Sequence, residues 1–113
     1  VPKGDAYRPP NCPQDKILAL YHEHCPTMPA VRIMTSARQA ETSARWRQVC
    51  ADEKWSAEQA LDWFAWFFQR AGGSKFLSGR SNSARPWRAD FQWLMKAGNF
   101  AKVVEGRYER ETA

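Results

Sequence analysis

Residues 55–73 read WSAEQALDWFAWFFQRAGG, a self-contained helix with both of its ends written into it. Ser56 and Gln59 have the S-x-x-Q spacing in which each side chain can satisfy the other residue's backbone N–H. Trp55 and Ala60 occupy the positions of a hydrophobic staple around that cap. Ala57, Leu61, Phe64, Phe68 and Ala71 then recur at three- and four-residue spacing, which places them on one helical face. Trp63, Trp66 and Phe67 broaden that face until most of the circumference is apolar, as suits a central helix packed on several sides. Gly72 and Gly73 mark its end.

Working outward, the pattern on either side is also helical. Ile17, Leu20, Tyr21 and His24 form a stripe that predicts a helix from about Pro13 to His24. Pro13 fits its first position, Asn11 or Cys12 its cap, and Pro26 its stop. TMPAVRIM (27–34) is expected to be an extended tether, with a short extended piece around Ala30 to Met34. A second helix is expected from Thr35 or Ser36 to about Asp52. Ala37, Ala40 and Ala44 lie on one side of it, where a neighbour could approach closely, and Trp46, Val49 and Cys50 enlarge its buried face. Arg38 and Arg45 share a face that by default is solvated. Beyond residue 80, Pro86 is expected to open a fourth helix with Trp87, Phe91, Leu94 and Met95 inward. Gly98 would close it, and Asn99 would cap a fifth carrying Phe100, Val103, Val104 and Tyr108. No segment alternates with period two between hairpin signals. The fold class expected is all-α, a compact bundle of about five helices with a basic Gly/Ser-rich loop between the third and fourth.

A chain of 113 residues is long enough for one domain, and six Trp, six Phe and three Tyr can fill its core. VPKGDAYRPPN (1–11) is rich in Pro and charge and reads as a linker from an absent upstream domain, leaving 12–108 as the helical domain and 109–113 as a tail. The most apolar run, Leu61 to Phe68, is too short for a membrane span and contains Asp62, and no signal-peptide pattern opens the sequence. Cys12, Cys25 and Cys50 do not form a secreted disulfide framework, so reduced thiols in a cytoplasm are expected. Cys12, His22, His24 and Cys25 offer metal-binding side chains but no C-x-x-C pair, and His22 and His24 point to different helix faces. No metal or other cofactor is expected.

The net charge of +5 is concentrated in one place. Arg70, Lys75, Arg80, Arg85 and Arg88 lie in a segment without a single acid, while the other 12 Lys and Arg are balanced by 12 Asp and Glu. Gly72, Gly73, Ser78, Gly79, Ser81, Asn82 and Ser83 fall in the same stretch. A flexible basic loop with open backbone N–H groups suits phosphates. Phe76 and Trp87 are expected to be buried anchors at the loop ends, so the five cations are the candidate nucleic-acid-binding residues. Catalysis is not expected. There is no phosphate-binding glycine loop, dinucleotide motif or nucleophile elbow. Nothing selects Asp52 with Glu53, or Asp62 with Asp90, as an acid–base pair, and adjacent His24 and Cys25 do not make a dyad.

FLSGR (76–80), Trp87, ADFQWL (89–94), NFAK (99–102) and EGRY (105–108), together with the opening CPQDKILALYHEHCPTMPAVR (12–32), give the chain a family likeness. It resembles the C-terminal domain of phage and prophage DNA replication proteins, the DnaD-like and replication-protein-O-like initiators and helicase loaders. The resemblance implies an accessory domain behind an upstream DNA-binding domain of the same polypeptide. Such a domain would act in replication initiation, binding DNA (single-stranded favoured) or helping to recruit the host replicative helicase or another primosome protein. It brings no catalytic residues. An alternative without direct DNA binding is a protein-interaction module that presents Trp63 or Trp66, or a self-association domain.

Overall fold

The structure, a computed structural model, describes residues 7–80 and 87–108. Among them are five helices and no strand: α1 (Gln14–His24), α2 (Ser36–Glu53), α3 (Ala57–Gly73), α4 (Phe91–Met95) and α5 (Ala97–Val104). α3 is the centre, packed against α1, α2 and α5, while α4 bridges α2 and α5. Its capping box is formed in both directions, Ser56 accepting from the Gln59 N–H and Gln59 from the Ser56 N–H. Phe64, Phe67 and Phe68 are fully buried, each stabilising the fold by about 1.5–3 kcal/mol relative to an exposed ring. Around them stand Tyr21 from α1, Trp46 from α2, Phe91 from α4 and Phe100 from α5. Trp46 stacks on Phe64 at 5.9 Å, and its Nε1 donates to the Pro10 carbonyl at 2.7 Å.

Several boundaries differ from the sequence expectation. α1 has Pro13 as its N-cap and no side-chain cap, so neither Asn11 nor Cys12 caps it. Packing begins before residue 12: the Tyr7 hydroxyl donates to the Trp55 carbonyl at 2.7 Å, and Tyr7 lies against the core. In α2, Ala37 and Ala40 are exposed; Thr42, Trp46, Val49 and Cys50 carry the burial instead. The tether after Pro26 is held from both sides. Tyr21 donates to the Pro29 carbonyl, the His22 imidazole accepts the Val31 N–H, and Arg38 donates to the Ile33 carbonyl.

Pro86, the expected start of the fourth helix, lies outside the described residues. Residues 87–90 are non-helical, and Ala89 donates to the Leu77 carbonyl. α4 starts one residue after Asp90, whose carboxylate accepts the Trp93 N–H at 2.8 Å. An acidic N-cap sets the start more strongly than a proline upstream. The break between α4 and α5 falls at Lys96, so Gly98 and Asn99 lie inside α5 rather than between helices. Asn99 uses its amide to donate back to the Trp93 carbonyl. α5 ends in a Schellman motif: Gly106, at φ 78°, donates to Val103 while Arg107 donates to Lys102.

Candidate nucleic-acid interface

Over residues 74–80 the expected loop forms a series of hydrogen-bonded turns. Leu77 and Ser78 are buried, and the N–H groups of Ser74, Leu77, Ser78, Gly79 and Arg80 all find acceptors within the chain. Those five backbone amides are therefore not open to a phosphate. The turn is fastened by Ser74, which accepts from Leu77 and donates to the Tyr108 carbonyl, and by the Thr27 hydroxyl, which donates to the Ser78 carbonyl.

The five candidate cations take different positions. The Arg80 side chain is exposed but turned back, donating to the Ser78 hydroxyl at 2.7 Å and to the Gly72 carbonyl at the end of α3 at 3.1 Å. Arg88, also exposed, lies along Gly79 and donates to the Thr27 carbonyl at 2.7 Å. Each of these guanidiniums holds a backbone carbonyl with part of its fork, and each is exposed at the surface. Lys75 is exposed on the same turn. Arg70 projects from α3 onto Trp66, its guanidinium carbon 4.8 Å from the ring centroid, a cation–π pair. Arg85 lies outside the described residues.

Four rings stand beside these cations. Phe76 stacks on Tyr108 (5.7 Å, 6° between planes) and meets Trp87 at 5.0 Å; Trp87 meets Trp93 edge-on at 5.0 Å; Trp93 meets Tyr108 at 5.9 Å, closing the circuit. Phe76, Trp93 and Tyr108 are half-buried, as expected of an anchor for Phe76. Trp87 corrects the expectation of burial: it is 38% exposed while in contact with Phe76 and Trp93. Trp93 and Tyr108 were not legible as members of this cluster. The available signal was that Trp93 falls off the buried stripe of Phe91, Leu94 and Met95.

The second candidate surface is on α3. Trp66 is 38% exposed, and Trp63 is half-buried, stacked on Phe67 at 5.7 Å and against Phe100 at 5.6 Å. The candidate metal side chains are not gathered: among the described residues no three His, Cys, Asp or Glu converge as ligands. Cys25 is buried and donates to the Phe68 carbonyl. Burial pushes its thiol up to about 12 and that of Cys12 up to about 11, and it raises Cys50 as well. No described helix is long and apolar enough to cross a membrane.

The residues that carry the family likeness have architectural jobs. Leu77 and Ala89 are buried, Arg80 closes α3, Asp90 caps α4, Asn99 ties α5 to α4, and Gly106 turns the chain after α5. The chain matches no protein-family model, no curated protein and no solved structure.

Proposed function

We propose that this domain is an accessory module of a phage or prophage DNA replication initiation protein. It works in the bacterial cytoplasm, binds DNA with single strands favoured, supports recruitment of the replicative helicase, and performs no reaction of its own. The observation that carries DNA binding is the exposed Trp87 of the four-ring cluster, set in the acid-free segment from Arg70 to Arg88. An exposed indole can stack on the face of a base, and cations on the adjoining turn can follow the phosphates. Unpaired bases present such faces and duplex DNA does not, which favours single strands.

Fluorescence anisotropy with labelled single-stranded and duplex DNA across a salt series tests this. Binding should weaken with salt by a log–log slope of about 0.7 per phosphate contacted on single strands. Trp87→Ala should cost about 1–3 kcal/mol. Lys75→Glu is the cleaner charge variant, because Arg80→Glu and Arg88→Glu would also break bonds to backbone carbonyls. Absence of binding at low salt would overturn the DNA role. A protein-binding role rests on a separate observation, the exposure of Trp66 beside Trp63 on α3. Tryptophans in that setting are frequent anchors of protein interfaces.

A further inference from the structure

A groove runs between the C-terminal half of α2 and α5. Its floor is Trp63 of α3 with Val49 and Val104, and Trp55 lies at one end. The Trp63 ring is held by its stack on Phe67 and its tilted contact with Phe100, so covering it would cost little ordering entropy. Trp66, 5.4 Å from Trp63 between ring centroids, continues the aromatic surface outward.

The lining is acidic although the chain is basic. Asp52 and Glu53 rim the groove from α2 and Glu105 from the end of α5, and among the described residues no Lys or Arg lines it. Arg107 engages Glu105 at 3.5 Å, whereas among the described residues no cation is paired with Asp52 or Glu53. These two sit in the last turn of α2, which holds no basic residue, at the negative end of the helix dipole. Carboxylates there meet the unfavourable end of the helix dipole. An approaching cation would relieve that penalty, whereas phosphates would be repelled.

We infer that this groove docks an amphipathic segment of a partner protein whose apolar side chains are flanked by Lys or Arg. The apolar groups would cover Trp63, Val49 and Val104, and the cations would meet Asp52 and Glu53. This deepens the protein-binding role and is independent of whether residues 70–88 bind DNA.

The probe is a labelled model helix of Leu/Lys heptads, with a Leu/Glu helix as control, titrated with the whole chain and followed by anisotropy. The chain's net positive charge opposes non-specific attraction, so binding of the Leu/Lys helix would point to a local acidic site. The expected result is binding accompanied by a blue shift of tryptophan emission. Asp52→Lys/Glu53→Lys and, separately, Val104→Arg should each weaken binding about tenfold or more. Asp15→Lys/Glu23→Lys, the same charge change on exposed positions of α1, should not. Equal binding of the Leu/Glu helix, or undiminished binding by Asp52→Lys/Glu53→Lys, overturns the inference. A dimer of the chain dissolved by that same variant would give the groove to a second copy and also overturn it. If the replicative helicase binds the chain and the variant leaves that binding intact, the protein-binding role stands and the groove is not its site.

Discussion

Gly72 and Gly73 stand side by side at the end of α3, and their surroundings assign them opposite roles. A Cβ on Gly72 would lie 2.0 Å from the His24 carbonyl oxygen, in the backbone where α1 ends, whereas a Cβ on Gly73 meets nothing within 4 Å. Gly72→Ala should therefore destabilise the domain by about 3 kcal/mol, since backbone on both sides must move. Gly73→Ala should be neutral or stabilise it by up to about 1 kcal/mol through helix propensity. Urea melts of the two variants check the pair, and similar values for both would contradict the close approach of α1 and α3. The thiols give a second test. Their folded-state ionisation is pushed above the ordinary value of 9.0, to about 11 at Cys12 and about 12 at Cys25. The unfolded chain then gives up thiol protons first as pH rises. The resulting stability is fully present below about pH 9 and is lost progressively toward pH 12. Urea midpoints should fall over that window, less steeply in a Cys25→Ala variant, and native thiols should react slowly with disulfide reagents at neutral pH.

At the scale of elements, the helix ends decide where each piece of chain starts and stops. α2 ends through Lys54, which adopts a left-handed φ of 55° and is the described non-glycine residue with positive φ. Trp55 N–H reaches back to the Cys50 carbonyl in the same turn. Lys54→Gly should stabilise the protein by about 1 kcal/mol, because an L side chain pays that much for the conformation and glycine does not. A thermal melt reads the result; a loss of stability would mean that the Lys54 side chain contributes more than its backbone costs. The capping box of α3 was legible from Ser56 and Gln59 because both partners are local in sequence. The start of α4 was misplaced because Asp90 and Pro86 both offer N-terminal signals, and only the fold shows Ala89 bonded to Leu77 ahead of the cap.

At the scale of the whole molecule, the two candidate surfaces differ in the sign of the charge that lines them. The acid-free segment carries Lys75, Arg80 and Arg88 beside the exposed Trp87, while the α2–α5 groove is lined by Asp52, Glu53 and Glu105. An anionic and a cationic partner therefore have separate residues to engage. Lys75→Glu should reduce the salt slope of DNA binding by about one contact's worth, and Asp52→Lys/Glu53→Lys should not reduce it. A reduced slope in the second variant would show that the groove and the basic segment do not act separately. The cations themselves were legible in the sequence as a count. Their geometry was not, because Arg80 and Arg88 are directed by carbonyls of Gly72 and Thr27, the latter 61 residues from Arg88 in the chain.

The sequence by itself determined the helical class, the extent of α2 and α3, the α3 cap, the aromatic core of Phe64, Phe68, Phe91 and Phe100, and the position of the excess charge. All of these follow from local spacing or from composition, which need no knowledge of what lies across the molecule. Tertiary structure alone decided that Gly72 is a point of close approach, that Trp87 faces solvent within a ring of Phe76, Trp93 and Tyr108, and that Asp52 and Glu53 rim a groove floored by Trp63. Each depends on residues far apart in the chain brought together by burial, and pairing at such separation leaves no periodic trace in one sequence.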